Sequence, residues 1–270
     1  MKIAINTVTL REHSLEKVVS ILSDNKVKAV EWAGDAHVPP GNLETAERAK
    51  SLCEQAGIEC TSYGSYYQCD EQGQGDGPFR FNLGATVALD TAVALGVDAI
   101  RVWAGRKASA DADEAYREEV ARCLAAFCDQ ADSLGMTVHL EFHRNTLTDT
   151  VESALALMDT VAKGNLYSYW QPRHGIGIEE NVADIEALGD RLSHVHVFHW
   201  LLKEDGKTVE RRPLKEGRER WERYFAALRK RPQSRYAMME FVMGDALDQL
   251  QEDLSVLRLI NGAVDPYCTA

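Results

Sequence analysis

The chain contains no run of eighteen apolar residues, so no membrane-spanning helix is expected. It also has no excess of positive charge: 30 basic residues against 42 acidic give a net charge of −12. That balance repels nucleic-acid phosphates and anionic membrane surfaces, and a small neutral or polyol-like ligand fits better. The six cysteines, Cys53, Cys60, Cys69, Cys123, Cys128 and Cys268, form no CxxC pair. Free thiols in a reducing cytosol are the economical explanation. The opening Met1-Lys2-Ile3-Ala4-Ile5-Asn6 is too short and too soon polar for a signal peptide, and a cytoplasmic protein is expected. Glycine is missing where a phosphate loop would need it. After the first apolar run the chain reads Thr7-Val8-Thr9-Leu10-Arg11, which argues against a doubly wound dinucleotide-binding sheet.

What is present is a repeated unit of short apolar run, polar loop and longer amphipathic segment. Eight such units can be counted, with strands expected at 2–6, 27–32, 59–63, 99–103, 137–142, 166–170, 192–198 and 236–241. Ser14 is placed to cap a first helix carrying Leu15, Val18, Val19 and Leu22, and Asp149 with Glu152 resembles a capping box. Helical spacing runs over 112–134 until Gly135 stops it, and Asp245 is expected to open a last helix with Leu247, Leu250, Leu254 and Leu257. Strict alternation implies parallel strands with right-handed crossovers, and 270 residues is the usual size of one (β/α)8 TIM barrel. The fold class is therefore α/β, a single barrel domain over 1–270. Two irregular stretches, 68–79 and 203–217, follow strands on the side where barrel active sites lie, as substrate loops or as plain solvated loops. Arg211, Arg212 and Arg218 in and after the second read as ordinary surface charges or as contacts for a phosphate.

The segment Thr137-Val138-His139-Leu140-Glu141-Phe142-His143 sends Val138, Leu140 and Phe142 to one face of a strand and His139, Glu141 and His143 to the other. A hairpin strand with one wet face would show the same pattern. Inside a barrel, an unpaired buried carboxylate would cost several kcal/mol, so Glu141 marks a candidate site. The polar residues at the other strand ends form a coherent set: Glu31-Trp32, Arg101-Val102-Trp103, Gln171 with His174, His194 with His196, and Glu240 within the apolar run Ala237-Met238-Met239-Glu240-Phe241-Val242. Each has a bland explanation alone, such as a buried ion pair between Glu240 and Arg101. Together, two carboxylates, an amide and an imidazole suit a divalent metal, Mn²⁺ first, with Mg²⁺ or Co²⁺ as alternatives and Zn²⁺ less favoured without thiolates.

Glu141, Gln171-Pro172-Arg173-His174, His194-Val195-His196 and Glu240, in this order along the chain, resemble the xylose isomerase-like barrel superfamily. The likeness is greatest to its sugar phosphate isomerase/epimerase group, which includes ketose 3-epimerases and hydroxypyruvate isomerase. It covers essentially the whole chain, including Val30-Glu31-Trp32, Arg101-Val102-Trp103-Ala104-Gly105 and His37-Val38-Pro39-Pro40-Gly41. The resemblance implies a metal held by Glu141, Gln171, His196 and Glu240, although the family has aspartate where Gln171 stands. With an amide there, a divalent ion and two carboxylates are formally neutral instead of −1, so affinity should fall and Lewis acidity rise.

The resemblance further implies an isomerase or epimerase acting on a small carbohydrate. Glu141 and Glu240 would pass a proton through an enediolate, with His174, His143, Glu31, Arg101 and Trp103 at the substrate. A lyase acting on an oxidised sugar begins with the same proton abstraction and is the alternative. A DNA-repair endonuclease of the same superfamily would need more histidine and acidic ligands, and a non-catalytic sugar-binding barrel is suggested only by Gln171. Barrels of this size commonly self-associate, which leaves a homo-oligomer open.

Overall fold

The computed structural model describes residues 1–70, 84–230 and 236–262. Its strands are β1 (Lys2–Asn6), β2 (Ala29–Ala33), β3 (Glu59–Gln68), β4 (Ala99–Trp103), β5 (Thr137–Leu140), β6 (Leu166–Trp170), β7 (Leu192–Val197), β8 (Trp200–Leu202), β9 (Val209–Arg211) and β10 (Tyr236–Met239). Eight of them close into a parallel barrel in the order β1-β10-β7-β6-β5-β4-β3-β2, while β8 and β9 form a separate antiparallel hairpin after β7. The helices are α1 (Leu15–Asp24), α2 (Leu43–Ala56), α3 (Ala85–Leu95), α4 (Glu114–Ser133), α5 (Val151–Val161), α6 (Ile178–Leu188), α7 (Arg218–Leu228) and α8 (Leu247–Asn261). This is the (β/α)8 barrel expected from the alternation, and closure excludes the open-sheet alternative. Among the described residues, no helix is long and apolar enough to cross a membrane.

The wet-faced hairpin is excluded as well, because β5 lies in parallel between β4 and β6. Val138, Leu140 and Phe142 enter the main apolar core between barrel and helices, while the opposite face points into the barrel. There, polar and aromatic side chains fill the interior. His139 stacks on His194 at 5.2 Å, bonds Ser193 Oγ at 2.7 Å, and meets Tyr169 edge-on.

Three expectations about element ends are corrected. The cap of α5 is Thr150, which accepts from Ser153 N, whereas Asp149 accepts from Ser109 N at 3.0 Å and faces a cavity. Asp245 does not cap α8: it sits at φ +51° one residue before Ala246 and takes an ion pair from Arg211 at 2.8 Å. The fifth and eighth barrel strands end early, at Leu140 and Met239, because the chain turns out of the ladder there. Even so, Glu141 N and Glu240 N still bond Val102 O and Val197 O, each at 3.0 Å.

Of the two irregular stretches, 71–79 lie outside the described residues. The other, 203–217, includes the turn and second strand of the β8–β9 hairpin, which reaches over the C-terminal mouth of the barrel. Arg212 and Arg218 are paired with Glu216 and Glu222, and Arg211 with Asp245, so these three serve as surface charges. Cys53, Cys60, Cys69, Cys123 and Cys128 are free thiols; Cys268 lies outside the described residues.

Candidate active site

The first residue beyond β5 and the first beyond β10 are both glutamates, and both point inward. Thr148 Oγ1 donates to the Glu141 carbonyl at 2.5 Å and fixes the turn that leaves the Glu141 carboxylate inside the barrel. His196, on β7 between them, is fully buried. Ligand atoms of Glu141, His196 and Glu240 lie within 4.8 Å of one another. Nδ1 of His196 faces three oxygens at once: Gln171 Oε1 at 3.0 Å, Glu240 Oε2 at 3.3 Å and Glu141 Oε1 at 3.8 Å.

One ring N–H can satisfy one of those acceptors, and the remaining lone pairs repel each other unless a cation lies between them. Cis donors around a hard divalent ion at 2.1–2.2 Å stand about 3 Å apart, so the spacing fits such an ion. Nε2 of His196 makes no hydrogen bond among the described residues, and Glu31 Oε1 lies 3.5 Å from it. With the Nδ1 lone pair turned to an ion, the ring proton sits on Nε2 and points at Glu31, the usual carboxylate–histidine–metal relay. The donor set therefore suits a divalent ion held by Glu141, His196 and Glu240, with Gln171 as the fourth corner.

Beneath this cluster lies a buried charge network. Glu31 receives Arg101 Nε at 3.1 Å, Asn6 Nδ2 at 2.9 Å, Ser62 Oγ at 2.8 Å and the Tyr169 hydroxyl at 2.8 Å. Arg101 Nη1 and the Trp103 indole N–H both donate to Glu141 Oε2, and Asn6 Nδ2 reaches Glu240 Oε1 at 3.0 Å as well. Burial would push the Glu31 carboxyl up, but Arg101 and then His196 and Ser62 hold it well below the usual range. For Glu141 burial is likewise outweighed, by Arg101 first and then by His143, His196 and the indole. Glu240 goes the other way: burial pushes it up to about 7, with His196 and Arg101 pulling down and Glu141 and Glu31 pushing up. His196 is raised because Glu240, Glu31 and Glu141 overcome the burial that would lower it.

Above the cluster opens a cavity of about 950 Å³, within the range of small-molecule sites. Glu141, Glu240, Gln171, Trp103, His143 and His174 line it. Glu31 and Arg101, expected at the substrate, do not: at 0% and 1% exposure they lie below the ligand cluster and hold it in place. His143 stacks on Trp103 at 4.7 Å, and its Nδ1 donates to the Arg144 carbonyl at 2.6 Å, which orients the ring. Across the cavity His174 stacks on Trp200 at 5.2 Å, and burial, then Arg144 and His143, lower it to about 4. The supporting residues Asn6, Ser62 and Tyr169 were not singled out in the sequence. Nor was Gly64, where a Cβ would stand 2.5 Å from Arg101 Nη2. Of these only Asn6, polar at the end of an apolar strand, carried a signal that could have been used.

The family model described as xylose isomerase-like TIM barrel matches residues 19–260. A 3-dehydroshikimate dehydratase from Bacillus anthracis is 29% identical over 175 residues, 62% of this chain; the match spans 60% of that relative's length. Among solved structures, the probable 3-DHS dehydratase AsbF of Bacillus anthracis, involved in petrobactin synthesis, superposes with a TM-score of 0.77 at 23% identity, covering 95% of this chain and 98% of that one. D-psicose 3-epimerase of Clostridium cellulolyticum H10, solved with D-tagatose, gives a TM-score of 0.70 at 16% identity over 97% and 99%.

Proposed function

The chain belongs to the xylose isomerase-like TIM barrel family, and from that premise we propose that it is a divalent-metal-dependent lyase, removing water from a small polyhydroxylated ketone. The observation that carries this reading over the epimerase expected from the sequence is the engagement of both glutamates. Glu141 Oε2 is taken by Arg101 and Trp103, Glu240 Oε1 by Asn6, and the remaining oxygen of each faces His196 Nδ1. Epimerisation needs two groups free to reach opposite faces of one carbon, whereas this pair is engaged by its neighbours and turned toward the ligand position. The curated relative's name, a dehydratase, supports the same choice.

Elimination needs one well-placed base. His143 in its neutral form supplies it: with Nδ1–H committed to the Arg144 carbonyl, the lone pair of the neutral ring lies on Nε2. The imidazole removes the proton from the carbon beside the ketone, and the cation formed is stabilised by the Trp103 face and by the ionised Glu141. The same imidazolium returns the proton to the departing hydroxyl, so the products are water and the unsaturated ketone. Glu141, Gln171, His196 and Glu240 would hold the ion, Mn²⁺ or Mg²⁺ by the oxygen-rich donor set. When bound, such an ion supplies positive charge for a developing enolate oxygen. Phe198, Trp200 and Phe241 pack against one another as an apolar wall of the cavity. The free thiols and the acidic charge suit a cytoplasmic enzyme.

The test is to incubate metal-loaded protein with 3-dehydroshikimate in D₂O and follow the products by NMR. Loss of water with formation of the unsaturated product is expected. Deuterium incorporation with an intact carbon–oxygen skeleton would instead support the epimerase, whose fold this chain shares.

A further inference from the structure

We propose that the mouth of the cavity is a carboxylate-binding subsite made by Arg144, four residues beyond β5, and Lys207, at the turn of the β8–β9 hairpin, so that the substrate is an organic anion. The inference rests on the lyase reading for what happens at the cavity floor, but its own support is separate. Arg144 Nη1 donates to the Lys207 carbonyl at 3.4 Å, which ties the hairpin to the loop and brings both cations to one cavity.

Among the described residues, five basic side chains line that cavity, and three are already neutralised. Arg11 meets Asp35 at 3.3 Å, Arg106 meets Asp70 at 3.1 Å and Arg173 meets Asp184 at 2.7 Å. Arg144 and Lys207 have no carboxylate partner among the described residues. Asp205, beside Lys207 in the turn, is occupied by the backbone N–H groups of Lys207 and Thr208 and by the Thr208 hydroxyl. Of the acids lining the mouth, Asp35 is bound by Arg11, and Asp149 accepts from Ser109 N through Oδ2 but forms no ion pair with either cation.

In a chain of net charge −12, two uncompensated cations at the entrance counter the repulsion an anion meets on approach. The field of Arg144 reaches inward: after burial, it is the next cause that lowers His174 across the cavity. A guanidinium fork and an ammonium match the two oxygens of a carboxylate. Both side chains are exposed, so each contact is modest, and together they correspond to about a tenfold preference, ~1.4 kcal/mol.

The test uses matched pairs of probes on the full-length, magnesium-loaded protein: shikimate against methyl shikimate, and D-gluconate against D-glucitol, each titrated calorimetrically. The acid of at least one pair is expected to bind about tenfold more tightly than its neutral partner, and the margin should shrink with added salt. In the double variant R144Q/K207Q the margin collapses, and in R144K it largely returns, which separates charge from folding. Equal binding of acid and neutral partner, failure of both acids to bind, or a margin that survives in the double variant overturns the subsite. Dehydration of 3-dehydroshikimate and its methyl ester with equal efficiency removes the subsite and leaves the lyase reading intact. An acid preference without dehydration does the reverse.

Discussion

Replacing Gln171 by glutamate keeps the side-chain length and puts a charged oxygen where the amide oxygen now stands, 3.0 Å from His196 Nδ1. A unit charge pair 4 Å apart is worth about 4 kcal/mol at an effective dielectric near 20, and a divalent ion doubles that. Much of the gain is offset. Without the ion, a third carboxylate beside Glu141 and Glu240 drives Glu240 further above its value of about 7, so binding must expel a proton that costs about 1.4 kcal/mol per pH unit. A net gain of about 2–3 kcal/mol remains, or roughly 30- to 150-fold in affinity for Mn²⁺ or Mg²⁺ near pH 8. Two further signs follow. The ion-free variant should melt below the wild type at neutral pH, because like charges crowd the barrel mouth. Turnover should fall even as the ion binds more tightly, since the added charge lowers its pull on a carbonyl. Calorimetry, thermal melts with and without EDTA, and a turnover assay read the three in turn. If the glutamate variant binds the ion no better than the wild type, Gln171 is not a ligand and the four-cornered site is wrong.

Affinity for the ion should fall about tenfold for each pH unit below 7, because the proton on Glu240 must leave, and the raised His196 steepens the decline; a dissociation constant flat between pH 6 and 8 contradicts this. Arg101→Met leaves Glu31 and Glu141 as unpaired buried charges, with an expected loss of about 3–5 kcal/mol in urea unfolding; a loss under 1 kcal/mol would show the network to be dispensable. Asp253 accepts from Leu214 N and Gln249 Nε2, and burial raises it to about 6. Its folded pKa lies above its unfolded one, so its contribution is fully present below the unfolded value and is lost as pH rises through 6. Asp253→Asn should therefore raise the melting temperature more at pH 8 than at pH 5, and an equal change at both would contradict the assignment. Gly64→Ala pushes a Cβ to 2.5 Å from Arg101 Nη2 and should weaken both stability and ion binding; wild-type values for both would show that the guanidinium has room to move.

The barrel was legible because alternation is a property of the whole chain. Glu141 and Glu240 were legible because a carboxylate inside an apolar strand has few affordable explanations. Depth was not legible: Glu31 and Arg101 read as polar strand residues like Trp103 and His143, and only the barrel's closure shows that two sit beneath the ligand cluster and two beside the cavity. Ser62 and Tyr169 carry ordinary hydroxyls whose partner lies on another strand, up to 138 positions away. Gly64 matters through an atom it lacks, which no sequence pattern displays. Local caps misled for a related reason: Asp149 and Thr150 are adjacent and equally able to cap, and a tertiary contact from Ser109 decided between them.

Glu31 is clamped by four donors and lies behind a histidine that faces three waiting oxygens, so the coordination shell is assembled before any ion arrives. The supporting network need not be rebuilt when an ion binds, which favours affinity. Such a shell discriminates weakly among cations of similar radius. The metal recovered with the protein will then reflect the abundance of ions in the cell that made it, and changing the growth medium should change the metal without changing the fold.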